Sequence, residues 1–210
     1  PKSKLLLGPK YFISFNKFTR IQKRIIKKEQ LKNIFAFFGS SDPTNETLKF
    51  VKSISDYKKI KFNILIGKIN PNYKKIKEKC KNIRNIKLFY NLTNSETLHL
   101  IKKNDLSIGS GGINLTERLF SNLPSIVICT AKNQKDAVKA LNNKKIIHFL
   151  GDHNKVSDKL IKKSIKKFLY NPRLIRLFSN KIYQNYANKL NIDSLKKELN
   201  NMINKNIKNA

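Results

Sequence analysis

The chain has 210 residues, 40% hydrophobic and 28% charged, with a formal net charge of +32. That length suits one generous domain or two small ones, no run of about 18 apolar residues is present to cross a bilayer, and the apolar opening Leu5-Leu6-Leu7 is too short for a secretory signal. Specific nucleic-acid binding is not expected either: the positive charge is mostly lysine, spread evenly along the chain with Asn and Ile. Arginine, the residue suited to bidentate contacts with guanine and phosphate, is confined to Arg20, Arg24, Arg84, Arg118, Arg173 and Arg176, and no aromatic stacking platform is visible.

Residues 1–30 carry a basic amphipathic stretch from Phe18 to Glu29 and read as a linker and lead-in from a preceding domain. The chain opens on Pro1 and has its only methionine at Met202, as expected of a processed product or a piece of something longer. Strand and helix signals then alternate. Ile34-Phe35-Ala36-Phe37-Phe38 is an apolar run ending at Gly39, the signature of a strand buried on both faces of a parallel sheet. A helix is expected from Glu46 to Ile54, a strand from Phe62 to Ile66, a helix from Tyr73 to Cys80 and a strand from Ile86 to Tyr90. A helix from Ser95 to Lys102 and a strand from Leu106 to Ile108 follow. Ser125 to Cys129 is the fifth strand, Gln134 to Leu141 a helix, and Ile146 to Leu150 the sixth strand. From Val156 the pattern is helical, interrupted at Asn171-Pro172, where proline suits the start of a new helix. Cys80 and Cys129 lack metal-ligand spacing and read as free thiols in a reducing, cytoplasmic setting.

Six strands alternating with short helices predict an α/β fold, a Rossmann-like doubly wound parallel sheet followed by C-terminal helices. Ligands of such sheets bind beyond the carboxyl ends of the strands, where this chain places Gly39-Ser40-Ser41-Asp42-Pro43, Asn91, Ser110-Gly111-Gly112 and Thr130 to Gln134. The stretch Gly109-Ser110-Gly111-Gly112-Ile113-Asn114-Leu115-Thr116-Glu117-Arg118 reads as strand, glycine turn and helix. Such a turn aims backbone N–H groups and the positive end of a helix dipole at a phosphate. Thr116 and Glu117 sit on the first helical turns, within reach of a ligand lying on the glycines. A carboxylate beside a phosphate calls for its own partner, and two ribose hydroxyls would supply one. The plainer alternative is a turn whose acidic residue only complements the helix dipole. The dinucleotide fingerprint is incomplete, because Asn114 stands where its third glycine belongs, and no Walker sequence occurs.

The order Leu6-Leu7-Gly8-Pro9-Lys10-Tyr11, Phe38-Gly39-Ser40-Ser41-Asp42-Pro43, Gly109-Ser110-Gly111-Gly112 with Thr116-Glu117-Arg118, Leu123-Pro124-Ser125 and Asn133-Gln134 resembles the UDP-sugar hydrolases of pseudaminic acid biosynthesis. These release UDP and 2,4-diacetamido-2,4,6-trideoxy-L-altrose. More distantly the chain resembles the UDP-binding half of the N-acetylglucosaminyl transferase of peptidoglycan precursor synthesis. Both are GT-B architectures, with a UDP-sugar held between two Rossmann-like domains. The resemblance implies a UDP-sugar-binding C-terminal domain over residues 31–190 and a tail over 191–210. It also implies that Glu117 accepts both ribose hydroxyls and that Ser40 and Ser41, beside Gly39 and Asp42, contact the diphosphate. Ser110, Gly111, Gly112 and Thr116 would hold phosphate, Tyr90 would lie where uracil is read through main-chain atoms, and Asn133 and Gln134 would face the diphosphate and sugar. Plainer readings stand beside these: Ser40 to Asp42 equally suits a turn capping the next helix, Tyr90 a strand-end core residue, and Asn133 a helix cap.

The chain departs from the family in three places. Ser40 replaces the second glycine of the first loop, Asp193-Ser194-Leu195 lacks the glycines of the family tail, and the family's N-terminal domain with its glycine-histidine loop is expected on a segment outside these 210 residues. None of His99, His148 and His153 matches that histidine, so no catalytic base is expected in this chain, and neither a cofactor nor a metal is called for. Glycosyl transfer from the same UDP site, and a non-catalytic nucleotide-binding module, are the alternative functions.

Overall fold

A computed structural model describes residues 21, 23, 31–187 and 192–208, with only the helical backbone of 192–195 and 205–208. The Leu6–Tyr11 motif and the lead-in helix from 18 to 29 lie outside the described residues. In chain order the elements are β1 (Asn33–Phe37), α1 (Glu46–Ser53), β2 (Lys61–Ile66), α2 (Tyr73–Cys80), β3 (Ile86–Tyr90), α3 (Asn94–Lys102), β4 (Leu106–Ser110), α4 (Ile113–Phe120) and β5 (Ser125–Cys129). A 3-10 turn at Lys132–Gln134, α5 (Lys135–Asn143), β6 (His148–Asp152), α6 (Asp158–Leu169), α7 (Pro172–Tyr186) and α8 (Ile192–Lys208) follow.

The strands form one parallel sheet in the order β3-β2-β1-β4-β5-β6. The two halves diverge from β1 and β4, so the loops leaving those strands part in opposite directions and open a crevice at their carboxyl ends. Apolar residues alternate between two faces, as the two-residue repeat of a strand requires. Ile34 and Ala36 of β1 pack with Phe50 and Val51 of α1 and with Ile161, Ile165 and Phe168 of α6. Phe35 turns to the opposite face, against Leu100 and Ile101 of α3 and Leu123. Phe35, Phe50, Phe62 and Phe168 are fully buried, and each side chain of that size stabilises by roughly 1.5–3 kcal/mol through removal from water. Helix α7 serves both faces: Ile175 and Phe178 join the first cluster, Ile182 and Tyr186 a third one built on Leu115, Leu119, Val127 and Val138.

Helix starts follow local capping chemistry. Thr93 Oγ1 accepts from the Glu96 N–H at 3.3 Å while Glu96 Oε2 accepts from the Thr93 N–H at 2.8 Å, a reciprocal cap on α3. Ser157 caps α6, and Pro172 opens α7. Both cysteines are buried and free, and among the described residues no helix is long and apolar enough to cross a membrane.

Two strands differ from expectation by more than a residue at an end. β4 continues through Gly109 and Ser110, which pair with Val127 and Ile128 of β5, so the turn proper is Gly111-Gly112. β6 starts at His148 rather than Ile146. Lys145 takes a left-handed conformation (φ 55) and the Ile146 N–H returns to the Leu141 carbonyl at 3.0 Å, closing α5. Ile146 and Ile147 are therefore spent sealing the helix end against the α4–α5 core rather than pairing in the sheet.

His148 packs its ring against Phe168 (5.5 Å between centroids) and Phe178 (6.4 Å). Burial, and then Lys167, hold its pKa below the ordinary 6.5. The unfolded chain thus binds the proton more readily, and His148 withdraws stability as pH falls below about 6.5. His148→Phe is expected to lose less stability than the parent between pH 7.5 and 5.5, measured as the shift of urea midpoint. Parallel midpoints in both proteins would refute the assignment.

Candidate functional site

A cleft of ≈ 590 Å³ opens at the carboxyl edge of the sheet, within the range of roughly 300–1,000 Å³ usual for small-molecule sites. The β1–α1 loop contributes Gly39, Ser40, Ser41 and Pro43, and the β3–α3 loop contributes Asn91 and Leu92. The β4–α4 turn adds Ser110, Gly112, Ile113, Asn114 and Glu117, and the β5–α5 loop adds Thr130, Ala131 and Gln134. Four loops distant in sequence meet because parallel strands all end on one side. Phe37, Leu65 and Ile66 form an apolar floor, and Asn94 and Thr97 approach from the start of α3.

Each loop is held by its own chemistry. Gly39 has φ +107, a conformation L side chains rarely adopt, which turns the chain sharply after Phe38. The loop then crosses the end of β2 so closely that a Cβ on Gly67 would stand 2.6 Å from the Ser40 carbonyl oxygen, and nearer still to its Cα. Asp42 is buried, and its two carboxylate oxygens accept from the N–H groups of Glu46 and Thr47, each at 2.9 Å. It satisfies the first turn of α1 and does not line the cleft. Glu46 is also buried and pairs with Lys49 at 2.8 Å; the same ammonium donates to the His153 carbonyl, tying α1 to the loop after β6. Burial pushes both carboxyls upward, opposed at Asp42 by its hydrogen bonds and at Glu46 by Lys49.

The start of α4 is different. Gly112 offers no side chain to cap it, so the opening N–H groups of an eight-residue helix point into the cleft with the positive end of its dipole. One turn further in, Glu117 lies 9% exposed on the same cleft-facing side, its Oε2 accepting from Asn114 Nδ2 at 2.9 Å. Thr116, about 100° around the helix from Glu117, does not line the cleft, although the sequence placed both within reach of a ligand.

Other expected residues sit beside the cleft. Gly111 donates its N–H to Gln134 Oε1 at 3.2 Å and abuts Val138 of α5. Gln134 Oε1 also accepts from the Thr130 N–H at 3.2 Å, which clamps the β4–α4 turn to the β5–α5 loop. Asn133 is exposed on the 3-10 turn and outside the lining. Tyr90 stacks on Tyr73 at 4.3 Å and donates its hydroxyl to the Lys68 carbonyl, leaving Asn91 and Leu92 as the residues of that segment at the cleft. His99 is exposed, His148 is packed in the aromatic cluster, and His153 presents its carbonyl to Lys49; none of the three lines the cleft. Among the described residues the lining contains no lysine or arginine. Any phosphate there would meet backbone donors and hydroxyls of the described residues.

Arg118, which the sequence shows only as part of the Thr116-Glu117-Arg118 motif with no role of its own, stands beside the site. It is fully buried, and burial presses its guanidinium below the ordinary value while the Glu117 carboxylate opposes that shift. Its signal was present: Leu115, Arg118 and Leu119 follow the helical spacing of a buried stripe, with a cation inside it.

No protein-family model matches the chain. An uncharacterized protein of Methanocaldococcus jannaschii is 31% identical to it over 146 residues, covering 64% of this chain and 29% of that protein. The glycosyltransferase of kitacinnamycin superposes with a TM-score of 0.63 at 17% identity, over 90% of this chain and 47% of that one. The UDP-GlcNAc 2-epimerase of Neisseria meningitidis, solved with UDP-GlcNAc bound, gives a TM-score of 0.58 at 19% identity, over 86% of this chain and 45% of that one. The chain has the fold of a GT-B Rossmann-like domain. It spans about half the length of these solved structures and under a third of the archaeal relative.

Proposed function

We propose that this chain is the nucleotide-binding half of an enzyme acting on a UDP-sugar, and specifically of a hydrolase of the pseudaminic acid pathway. The observation that carries the reading is that the uncapped start of α4 and the Glu117 carboxylate face one cleft. In this reading Glu117 accepts the two ribose hydroxyls. The N–H groups around Gly112 and Ile113, with the hydroxyls of Ser40, Ser41 and Ser110, hold the diphosphate. The uracil enters the apolar side of the cleft, beside Phe37, Leu65 and Leu92, with the backbone of Asn91 at its edge. As water attacks the anomeric carbon and the bond to the diphosphate oxygen breaks, charge grows on the leaving UDP. Fixed backbone donors and the helix dipole stabilise that charge without reorganising. The proton of the attacking water goes to a base on a companion domain, since no histidine lines this cleft among the described residues.

Glu117→Ala is expected to weaken UDP binding by about 1.5–3 kcal/mol, the range for hydrogen bonds to a charged group, with circular dichroism unchanged. Calorimetric titration of UDP into both proteins checks it, and equal affinity removes Glu117 from the site. Glycosyl transfer is the second reading, supported by the fold likeness to a glycosyltransferase. Product analysis with and without a sugar acceptor separates transfer from hydrolysis. The motif at Leu6–Tyr11 that favours the hydrolase lies outside the described residues.

A further inference from the structure

We propose that Arg118 is the positioning residue of this site, setting the geometry of the phosphate turn and of Glu117 without touching ligand; this rests on the nucleotide reading above. Arg118 Nη2 donates to the Ser110 carbonyl at 2.5 Å, Nε to the Asn114 carbonyl at 3.4 Å, and Nη1 reaches Ser107 Oγ at 3.5 Å. Ser110 is the last residue of β4 and Asn114 the second of α4. One planar fork therefore bridges the two ends of the Gly111-Gly112 turn and fixes the direction in which the α4 N–H groups point. Gly109 lies in the same tight place: a Cβ there would overlap the Phe37 carbonyl oxygen of β1 and stand 3.0 Å from Arg118 Nη1. Asn114 carries the effect onward: its carbonyl accepts from Arg118, and its side-chain amide donates to Glu117 Oε2.

Stability alone gives a poor reason for a guanidinium in this position. A buried charge costs several kcal/mol to desolvate, and an apolar side chain of similar volume is often neutral or better. What an apolar residue cannot do is hold two backbone carbonyls on either side of a turn. Lysine keeps the charge but lacks the fork.

The test uses the 210-residue chain and its Arg118→Lys and Arg118→Met variants, titrated with UDP and with 2′,3′-dideoxy-UDP, thermal unfolding being recorded for each. The parent should prefer UDP. The variants should lose about tenfold in UDP affinity, the equivalent of one charge-assisted hydrogen bond, and their preference for UDP over the dideoxy analogue should fall towards one. A residue that only stabilises the fold would lower the melting temperature and leave that preference intact. Folded variants with parental affinity and preference overturn the proposal, as does failure of both variants to fold, which would assign Arg118 to stability alone. A parent that binds no UDP instead sinks the nucleotide reading, and this inference with it.

Discussion

Gly67→Ala is expected to lower UDP affinity by about a hundredfold while the protein stays folded. Gly67 follows the end of β2, and the new Cβ would overlap the Ser40 backbone. The Ser40 hydroxyl is among the atoms it would meet, but so are the Ser40 Cα and carbonyl oxygen, and trimming the Ser40 side chain would leave those backbone overlaps in place. The β1–α1 loop has to move by the order of an ångström, enough to break a hydrogen bond to the charged diphosphate worth about 1.5–3 kcal/mol, or up to about a hundredfold in affinity. The cost to stability should be about 1–3 kcal/mol, as for other overpacked sites. Titration of UDP, alongside a urea melt, separates the two effects. Undiminished UDP binding by folded Gly67→Ala would show that the Ser40 loop does not hold the diphosphate.

A larger effect concerns turnover. With UDP bound, Glu117 taken up by the ribose and no histidine among the described residues of the cleft, the chain by itself should release UDP from the altrose-type UDP-sugar at close to the background rate. General-base catalysis contributes about 10²–10⁴-fold, and closure around the substrate adds orientation and exclusion of water. The measurement follows UDP release with this chain, and again with the same chain joined to the companion domain that the proposed function requires. Comparable rates would place the base inside these residues, and His153, in the loop that Lys49 ties to α1, and Asp42 would then be the first to replace.

Most of the sheet was legible because fully buried parallel strands announce themselves as apolar runs closed by glycine or polar turns, as at Ile34–Phe38 and Phe62–Ile66. The same rule misplaced β6. An apolar pair reads alike whether it enters a sheet or plugs a helix end, and only the left-handed Lys145 decides that Ile146 and Ile147 do the second. The loops that meet at the cleft were legible from topology, since small and polar residues cluster after each strand. Which side chain within a loop faces the cleft was not. Ser41 lines the cleft and Asp42 turns to cap α1; Glu117 lines it and Thr116 does not. Those choices depend on helix phase and on the backbone donors in need of an acceptor, neither of which is set by neighbouring residues alone. Arg118 shows the reverse case, a cation in an apolar stripe that composition invites one to dismiss as one more solvated charge.

Helix α7 has a consequence for how this chain acquires its shape. Its first half completes the core on one side of the sheet with Ile175 and Phe178, and its second half completes the other with Ile182 and Tyr186. During synthesis neither side is sealed until residues near 186 have left the ribosome, although all six strands have emerged by then. The last long-range contacts thus join both layers at once, and a chain released before them would expose apolar surface on either side of an assembled sheet. Such a species is the kind that aggregates or is degraded, so for these residues the vulnerable interval runs from the appearance of β6 to the docking of α7.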